Sequence, residues 1–452
     1  MKTRCISLTM VLVLSFIAVF VLINQAHGAG YALIEQGVSG LGNAYSGGAA
    51  SALDATTIFY NPAGLTRFNS PQIIGAGHLI IPSAKFTNEG STHILQPRTG
   101  VPLKGDNGED AGVTAFVPNL YYSMPIGQKM SFGIGINSPF GLETNYGNTW
   151  VGRYHAIKSA MITINVNPTI AYKVSDQFSV GAGVSVQYIK AELTNAIDFG
   201  TMDALGVFAP LKLGLTPQMA DGFAKLKGDS WGVGFNLGAL YEFTKETRMG
   251  VSYRSRIKQK LKGDAEFSGV PTGLGVLPVF KNGGITAEVT LPDSASASIY
   301  HDINNQWAVM ADITWMGWKT FDELRIKFDN PAQSDAVTTT KWNNAMRYSA
   351  GLSFKPIDKL TLRTGVAYDE TPIGEAQYRT PRIPDTDRTW IAFGAGYKIS
   401  ERINFDCGYV HIFFRNTETN KTPVGEDAVR GGLKGTYKGY VNILSLQLTY
   451  MF

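Results

Sequence analysis

Apolar and polar residues alternate along most of this chain with the two-residue period of a β-strand. The last stretch is the clearest. Leu444, Leu446, Leu448, Tyr450 and Phe452 share one phase; Ser445, Gln447 and Thr449 share the other, with Met451 the exception. Phe178, Val180, Ala182, Val184, Val186 and Tyr188 alternate in the same way with Ser179, Gly181, Gly183, Ser185 and Gln187. Segments 231–241, 307–315, 360–368 and 389–399 follow the rule. One face of each strand is greasy and the other is polar or small, which suits a wall with lipid outside and a polar lumen inside.

The connections come in two sizes. Short turns fall near 125–129, 175–176, 244–247, 302–305, 356–359 and 400–401. Long loops fall near 89–111, 139–158, 196–228, 265–283, 319–339, 371–385 and 416–435. Seven long loops alternate with six short turns, which divides the chain into fourteen strands. Outer-membrane barrels have an even strand number, short turns at one rim and long loops at the other, and an aromatic final residue is typical of them. The expected fold is therefore all-β: a 14-stranded antiparallel transmembrane β-barrel over residues 71–452. A soluble sandwich would have shorter strands and no long–short rhythm.

Two segments stand outside the pattern. Met1-Lys2-Thr3-Arg4 is basic, residues 6–23 are apolar apart from Ser7, Thr9 and Ser15, and Ala26-His27-Gly28 offers small residues for cleavage before Ala29. Residues 1–28 read as a secretory signal peptide. An uncleaved anchor is the rival reading, because the run approaches spanning length; the cleavage site and the Gly-rich sequence after it favour removal. Residues 29–70 are rich in Gly, Ala and Ser, end in Asn61-Pro62-Ala63-Gly64-Leu65, and do not alternate. Roughly forty such residues are too long for a tail. They are expected to fold back into the lumen as an N-terminal hatch.

Composition narrows the chemistry. Charged residues make up 17%, below the quarter usual in soluble domains. Past residue 28 only Cys407 remains, so no intrachain disulfide is possible, and Cys5 precedes the apolar run, where it is no lipidation site. A net charge of +4 carries no basic concentration for nucleic acid. His78, His93, His155, His301 and His411 lack metal-ligand spacing. Gly40-Leu41-Gly42 lacks the preceding strand of a phosphate loop. No catalytic Ser-His pairing is suggested, so no enzyme, metal or cofactor is expected.

Five stretches, in order, resemble the FadL-type outer membrane transporters of long-chain fatty acids and other hydrophobic compounds. They are Gly40-Leu41-Gly42-Asn43-Ala44-Tyr45-Ser46-Gly47, Asn61-Pro62-Ala63, Trp150-Val151-Gly152-Arg153-Tyr154, Leu362-Arg363-Thr364-Gly365-Val366-Ala367-Tyr368-Asp369 and Ile383-Pro384-Asp385-Thr386-Asp387-Arg388. The resemblance implies a monomeric barrel among outer membrane lipids of a Gram-negative bacterium. Substrate would be caught by external loops, enter a pocket in the barrel, and leave sideways beside a kinked third strand. That strand, 130–141, holds Gly133 and Gly135 and ends in Pro139-Phe140-Gly141. Proline cannot donate to a ladder and glycine permits bends, so a broken strand fits; a strand simply ending in a loop fits too. The gate and hatch residues carried over are Asn61, Pro62, Ala63, Ala115 and Gly141.

Substrate contacts have two sources. Arg254, Arg256, Lys258, Lys260 and Lys262 share one phase of the seventh strand, opposite Val251, Tyr253, Ile257 and Leu261. Charge on the lipid face is costly, so all five are expected in the lumen. They would attract a carboxylate headgroup, or be neutralised by carboxylates such as Glu35, Asp54, Asp369 or Asp387. By resemblance, Lys190 and Arg325 would sit near the bound carboxylate, with Ser138 as a polar neighbour. Strict alternation puts Lys190 on the outward face, so it needs a bulge to turn inward; otherwise it is an interfacial lysine. Arg325 lies with Asp322 and Glu323, where a surface ion pair is the ordinary reading.

The loops at 196–228 and 265–283 are unusually apolar, as a landing site for a greasy substrate or as a self-packed cap. Trp150, Trp315, Trp318, Trp342 and Trp390 read as interfacial anchors. The expected function is passive import of long-chain fatty acids. The rivals are uptake of uncharged hydrophobic compounds such as aromatic hydrocarbons, and a surface adhesin or receptor whose barrel stays closed.

Overall fold

The computed structural model describes residues 30–452 apart from 209, 210 and 212. Residues 1–28, expected to be a signal peptide, and Ala29 lie outside the described residues. Fourteen antiparallel strands close into a barrel. In chain order they are β1 (Gln72–Asn88), β2 (Ala115–Ile126), β3 (Met130–Asn137, resuming at Gly141–Asn145), β4 (Lys158–Lys173), β5 (Phe178–Asp198), β6 (Asp221–Glu242) and β7 (Thr247–Arg254, resuming at Ile257–Ser268). There follow β8 (Gly283–Leu291, resuming at Ser294–Asp302), β9 (Trp307–Met316), β10 (Ala345–Ile357), β11 (Leu360–Asp369), β12 (Arg388–Lys398), β13 (Ile403–Phe414) and β14 (Leu433–Met451). β14 closes on β1 along its whole length, from Gln72 opposite Met451 to Asn88 opposite Gly435.

Alternation sets the faces. Leu444, Leu446 and Leu448 project outward and are about half exposed, while Ser445, Gln447 and Thr449 are buried in the lumen. β5 and β6 run further than their apolar content suggests. Their ladder continues until Asp198 faces Asp221, through residues expected to be loop. The signal was present: Gly222, Ala224 and Leu226 are buried, and Lys225, Lys227 and Asp229 take the other phase.

β7 departs from the expected single basic face. Its break at Ser255-Arg256 lies opposite the break of β8 at Pro292-Asp293. Proline offers no ladder donor, and a lost step flips the phase of every residue beyond it. Below the break Arg248 is buried in the lumen and Arg254 reaches the hatch; above it Ile257, Gln259 and Leu261 turn inward. Lys258, Lys260 and Lys262 therefore face outward. Arg256 is half exposed and pairs with Asp293 at 3.0 Å.

Residues 30–70 run inside the barrel as short turns of helix at Leu41–Asn43, Gly48–Ser51, Thr57–Tyr60 and Pro62–Arg67. Such turns satisfy few of their own carbonyls, and a buried carbonyl needs a donor. The wall supplies them. Arg248 Nε donates to Ala50 O at 2.8 Å, Arg254 Nη2 to Phe59 O at 2.9 Å and Arg347 Nη2 to Ala44 O at 2.7 Å; in the other direction, Asn43 Nδ2 of the hatch donates to Leu352 O of the wall at 2.9 Å. Small lumen residues let the two backbones approach. A Cβ on Gly365 would lie 2.2 Å from the carbonyl carbon of Asn43, and one on Gly238 1.9 Å from Asn61 Oδ1.

Gly365→Val should thus dislodge the hatch without opening the cylinder. Overpacking of this kind costs about 1–3 kcal/mol. Heat-modifiable gel migration is expected to persist, with faster proteolysis between residues 30 and 70; unchanged proteolysis would mean that the contact is not tight.

Candidate functional site

The wall has a window between β2 and β3. The β2–β3 ladder ends where Leu120 faces Ile136. Above it, β2 residues from Ala115 to Asn119 pair with β1 alone, and the resumed Gly141–Asn145 segment pairs with β4 alone. A bridge between Gly112 and Thr144 closes the top. Ser138-Pro139-Phe140 makes the break, and Ser138 Oγ donates to Thr163 O at 2.7 Å. The window opens among lipid-facing side chains: Phe116 is 67% exposed, and Leu120 is half exposed.

The start of the hatch fills it. Leu33 N donates to Pro139 O at 2.8 Å and Gly141 N to Tyr31 O at 3.1 Å. Gln36 Nε2 donates to Ser138 O at 2.8 Å, and Asn119 Nδ2 to Glu35 O at 3.1 Å. Residues 31–36 thus stand in for the missing strand contact.

Two cavities flank this segment. The inner one, about 160 Å³, is bounded by Leu33, Glu35, Phe140, Arg254, Arg347 and Arg388 among others. The outer one, about 100 Å³, is almost wholly apolar, with Met161, Ile189, Leu226, Leu261, Ile285 and Ile326 in its walls and Arg382 at its edge. An aromatic cluster lies between them. Tyr31 sits 4.6 Å from the Trp318 ring, 5.7 Å from Phe321, 5.7 Å from Trp342 and 6.1 Å from Phe140. Phe140 lines the inner cavity; Tyr31 and Phe321 line the outer.

Backbone hydrogen bonds to the Asp385–Arg388 ion pair tie the hatch start to the entry of β12. Asp385 accepts from the Gly30 amide at 3.0 Å and pairs with Arg388, whose Nη2 also reaches Gly30 O at 2.7 Å. Glu35 is fully buried, and burial pushes its carboxyl up from 4.5 to about 7, with Arg388 and Arg347 pulling it back and Asp369 adding to the rise.

The named residues divide. Ser138, Ala115 and Gly141 border the window. Asn61, Pro62 and Ala63 instead pack the hatch onto β5 and β6: Asn61 Nδ2 donates to Ala239 O at 2.9 Å, and a Cβ on Gly181 would lie 2.5 Å from Ala63 N. Arg254 faces the inner cavity and meets Ser185 Oγ and a hatch carbonyl. Arg256 does not reach either cavity. Lys190 is exposed on the outer face of β5, opposite Asp229, because alternation runs unbroken from Ala182 and Ile189 takes the lumen side. Arg325 pairs with Glu323 at 2.6 Å and Asp335 at 3.2 Å, away from both cavities.

The tryptophans also need correction. Trp150, Trp318, Trp342 and Trp390 are fully buried, in the loop core, the aromatic cluster and the lumen; of the five only Trp315 is partly exposed. The apolar loop residues pack on one another, with Phe199, Phe208 and Leu274 at the centre.

Residues 19–452 match a family described as outer membrane protein transport protein (OMPP1/FadL/TodX). The chain belongs to the OMPP1/FadL/TodX family. A long-chain fatty acid transport protein of Escherichia coli O6:H1 is 34% identical over 87% of this chain and 90% of its own. A Pseudomonas aeruginosa FadL homologue of known structure is 26% identical, with TM-score 0.82, over 93% of this chain and 99% of its own. The Pseudomonas putida toluene transporter TodX, at 17% identity and TM-score 0.66 over 95% and 99%, shares the fold. As a family member the chain is an outer membrane transporter of hydrophobic compounds in a Gram-negative cell, not an enzyme.

The raised Glu35 carboxyl should make packing of the hatch start pH-dependent. Below pH 4.5 the carboxyl is protonated whether packed or solvated. Between 4.5 and about 7 only the solvated form ionises, so rising pH favours release. Above 7 both ionise and the slope vanishes. The shift corresponds to roughly 3 kcal/mol, or about two orders of magnitude in amide-exchange protection of residues 30–40, corrected for intrinsic rate. Glu35→Gln should remove the slope; an unaltered slope in that variant would assign it elsewhere.

Proposed function

We propose that this family member imports long-chain fatty acids by a dry, sideways route. The acyl chain is collected at the apolar loop cap, where Met219 and Val276 are 70% and 76% exposed. It enters the outer cavity, passes the Tyr31 cluster, and leaves through the β2–β3 window once residues 31–36 withdraw. The observation that carries the reading is two cavities flanking a wall gap that faces lipid and that, among the described residues, the hatch start fills. The fatty-acid relative at 34% identity supports the substrate. Nothing in the route calls for an energy source.

Uncharged hydrocarbons are the second reading. It gains from Lys190 and Arg325 lying away from both cavities and from the apolar walls of the outer one. Against it, buried or lumen-facing guanidinium groups remain at Arg254 and Arg382.

An importer-deficient Gram-negative strain carrying this gene decides between them. Growth on oleate should be restored, with little gain in toluene uptake. Toluene uptake without oleate growth would reverse the assignment.

A further inference from the structure

We propose that Arg382 is the headgroup anchor of the outer cavity, selecting single-chain amphiphiles that end in a carboxylate. This rests on the import reading above and adds the residue that reads the charge.

Arg382 lies in the loop before β12 and is 8% exposed. Its guanidinium meets only neutral acceptors: Nη1 donates to Ser159 Oγ at 3.1 Å and Thr194 O at 3.4 Å, and Nη2 to Asn195 Oδ1 at 3.4 Å. Two of these contacts are long for hydrogen bonds. Among the described residues no carboxylate lies within ion-pair reach of it. The charge that acts on it is another cation, Arg430, which is itself paired with Asp427 at 3.0 Å. A buried cation without a counter-ion is costly and rare. Here it lines a cavity whose walls are mostly aliphatic and aromatic, with the hydroxyl residues Ser159, Thr338, Thr340 and Thr380 among them. Lys227 and Lys262 also border the cavity but take the outward phase of their strands. The cavity thus presents one inward guanidinium and a long greasy wall. A planar fork of donors matches a carboxylate and can hold it by two parallel bonds. A hydrocarbon or an alcohol would leave the cation unpaired.

The test compares ligands and variants on the full barrel in nanodiscs at pH 8. Oleate and oleyl alcohol share a chain and differ in headgroup, so intrinsic tryptophan fluorescence titration with each isolates the charge. Wild type should bind oleate at least tenfold tighter than the alcohol. Arg382→Gln should lose that tenfold preference and bind the alcohol as before, while Arg382→Lys should recover part of it. Heat-modifiable migration checks that each variant is folded. If Arg382→Gln does not fold, the wild-type headgroup preference and the Arg382→Lys titration decide. Equal wild-type affinity for oleate and the alcohol, or an Arg382→Gln preference within twofold of wild type, overturns the anchor and leaves import standing. Failure of wild type to bind either ligand overturns both.

Discussion

A segment without regular secondary structure has been packed into a lumen that offers it little water, and its carbonyls must find donors there. The rest of the structure follows from that constraint. The wall answers with Arg248, Arg254 and Arg347, each placed on the lumen phase of its strand. The inward arginines are thus used first as backbone donors. A hydrogen bond from a charged donor contributes about 1.5–3 kcal/mol, and loss of its partner leaves a buried charge. The hatch body is held accordingly, while its first residues are held mostly by backbone contacts to β3 and by the Asp385–Arg388 pair.

That difference in attachment divides the hatch by function. Residues 41–67 pack against the lumen side of the wall. Residues 31–36 occupy a missing piece of ladder, where a strand would otherwise pair. Withdrawal of such a segment exposes a gap already bounded by β2 and β3, with no need to unzip a ladder. A carboxyl that ionises on solvation, Glu35, sits in the same few residues and biases the same equilibrium.

Much of this was legible in the sequence. The alternation of turn and loop lengths encodes strand number directly, because both depend on which rim they occupy. Pro139 fits a kinked β3 and a strand ending in a loop equally well in the sequence, and the stretch that refuses to alternate is the one that packs among lumen residues. The misplacements have a common cause: phase is local, and a neighbouring strand can reset it. Pro292 on β8 flips β7, so Lys258, Lys260 and Lys262 leave the lumen although their own strand gives no sign. Trp318 and Trp342 read as interfacial anchors from residue type alone, whereas in the structure they turn inward onto Tyr31. Arg382 stands one residue before the Ile383–Arg388 motif and carries no periodic signal of its own, being in a loop.

The central claim is a route that enters from the loops and leaves through the wall. Crystals soaked with a fatty acid brominated along its chain test it most directly by anomalous scattering. Bromine is predicted in the outer cavity and at the β2–β3 window. Bromine on the barrel axis below the Pro62–Arg67 turn, or none inside the wall, would contradict the account.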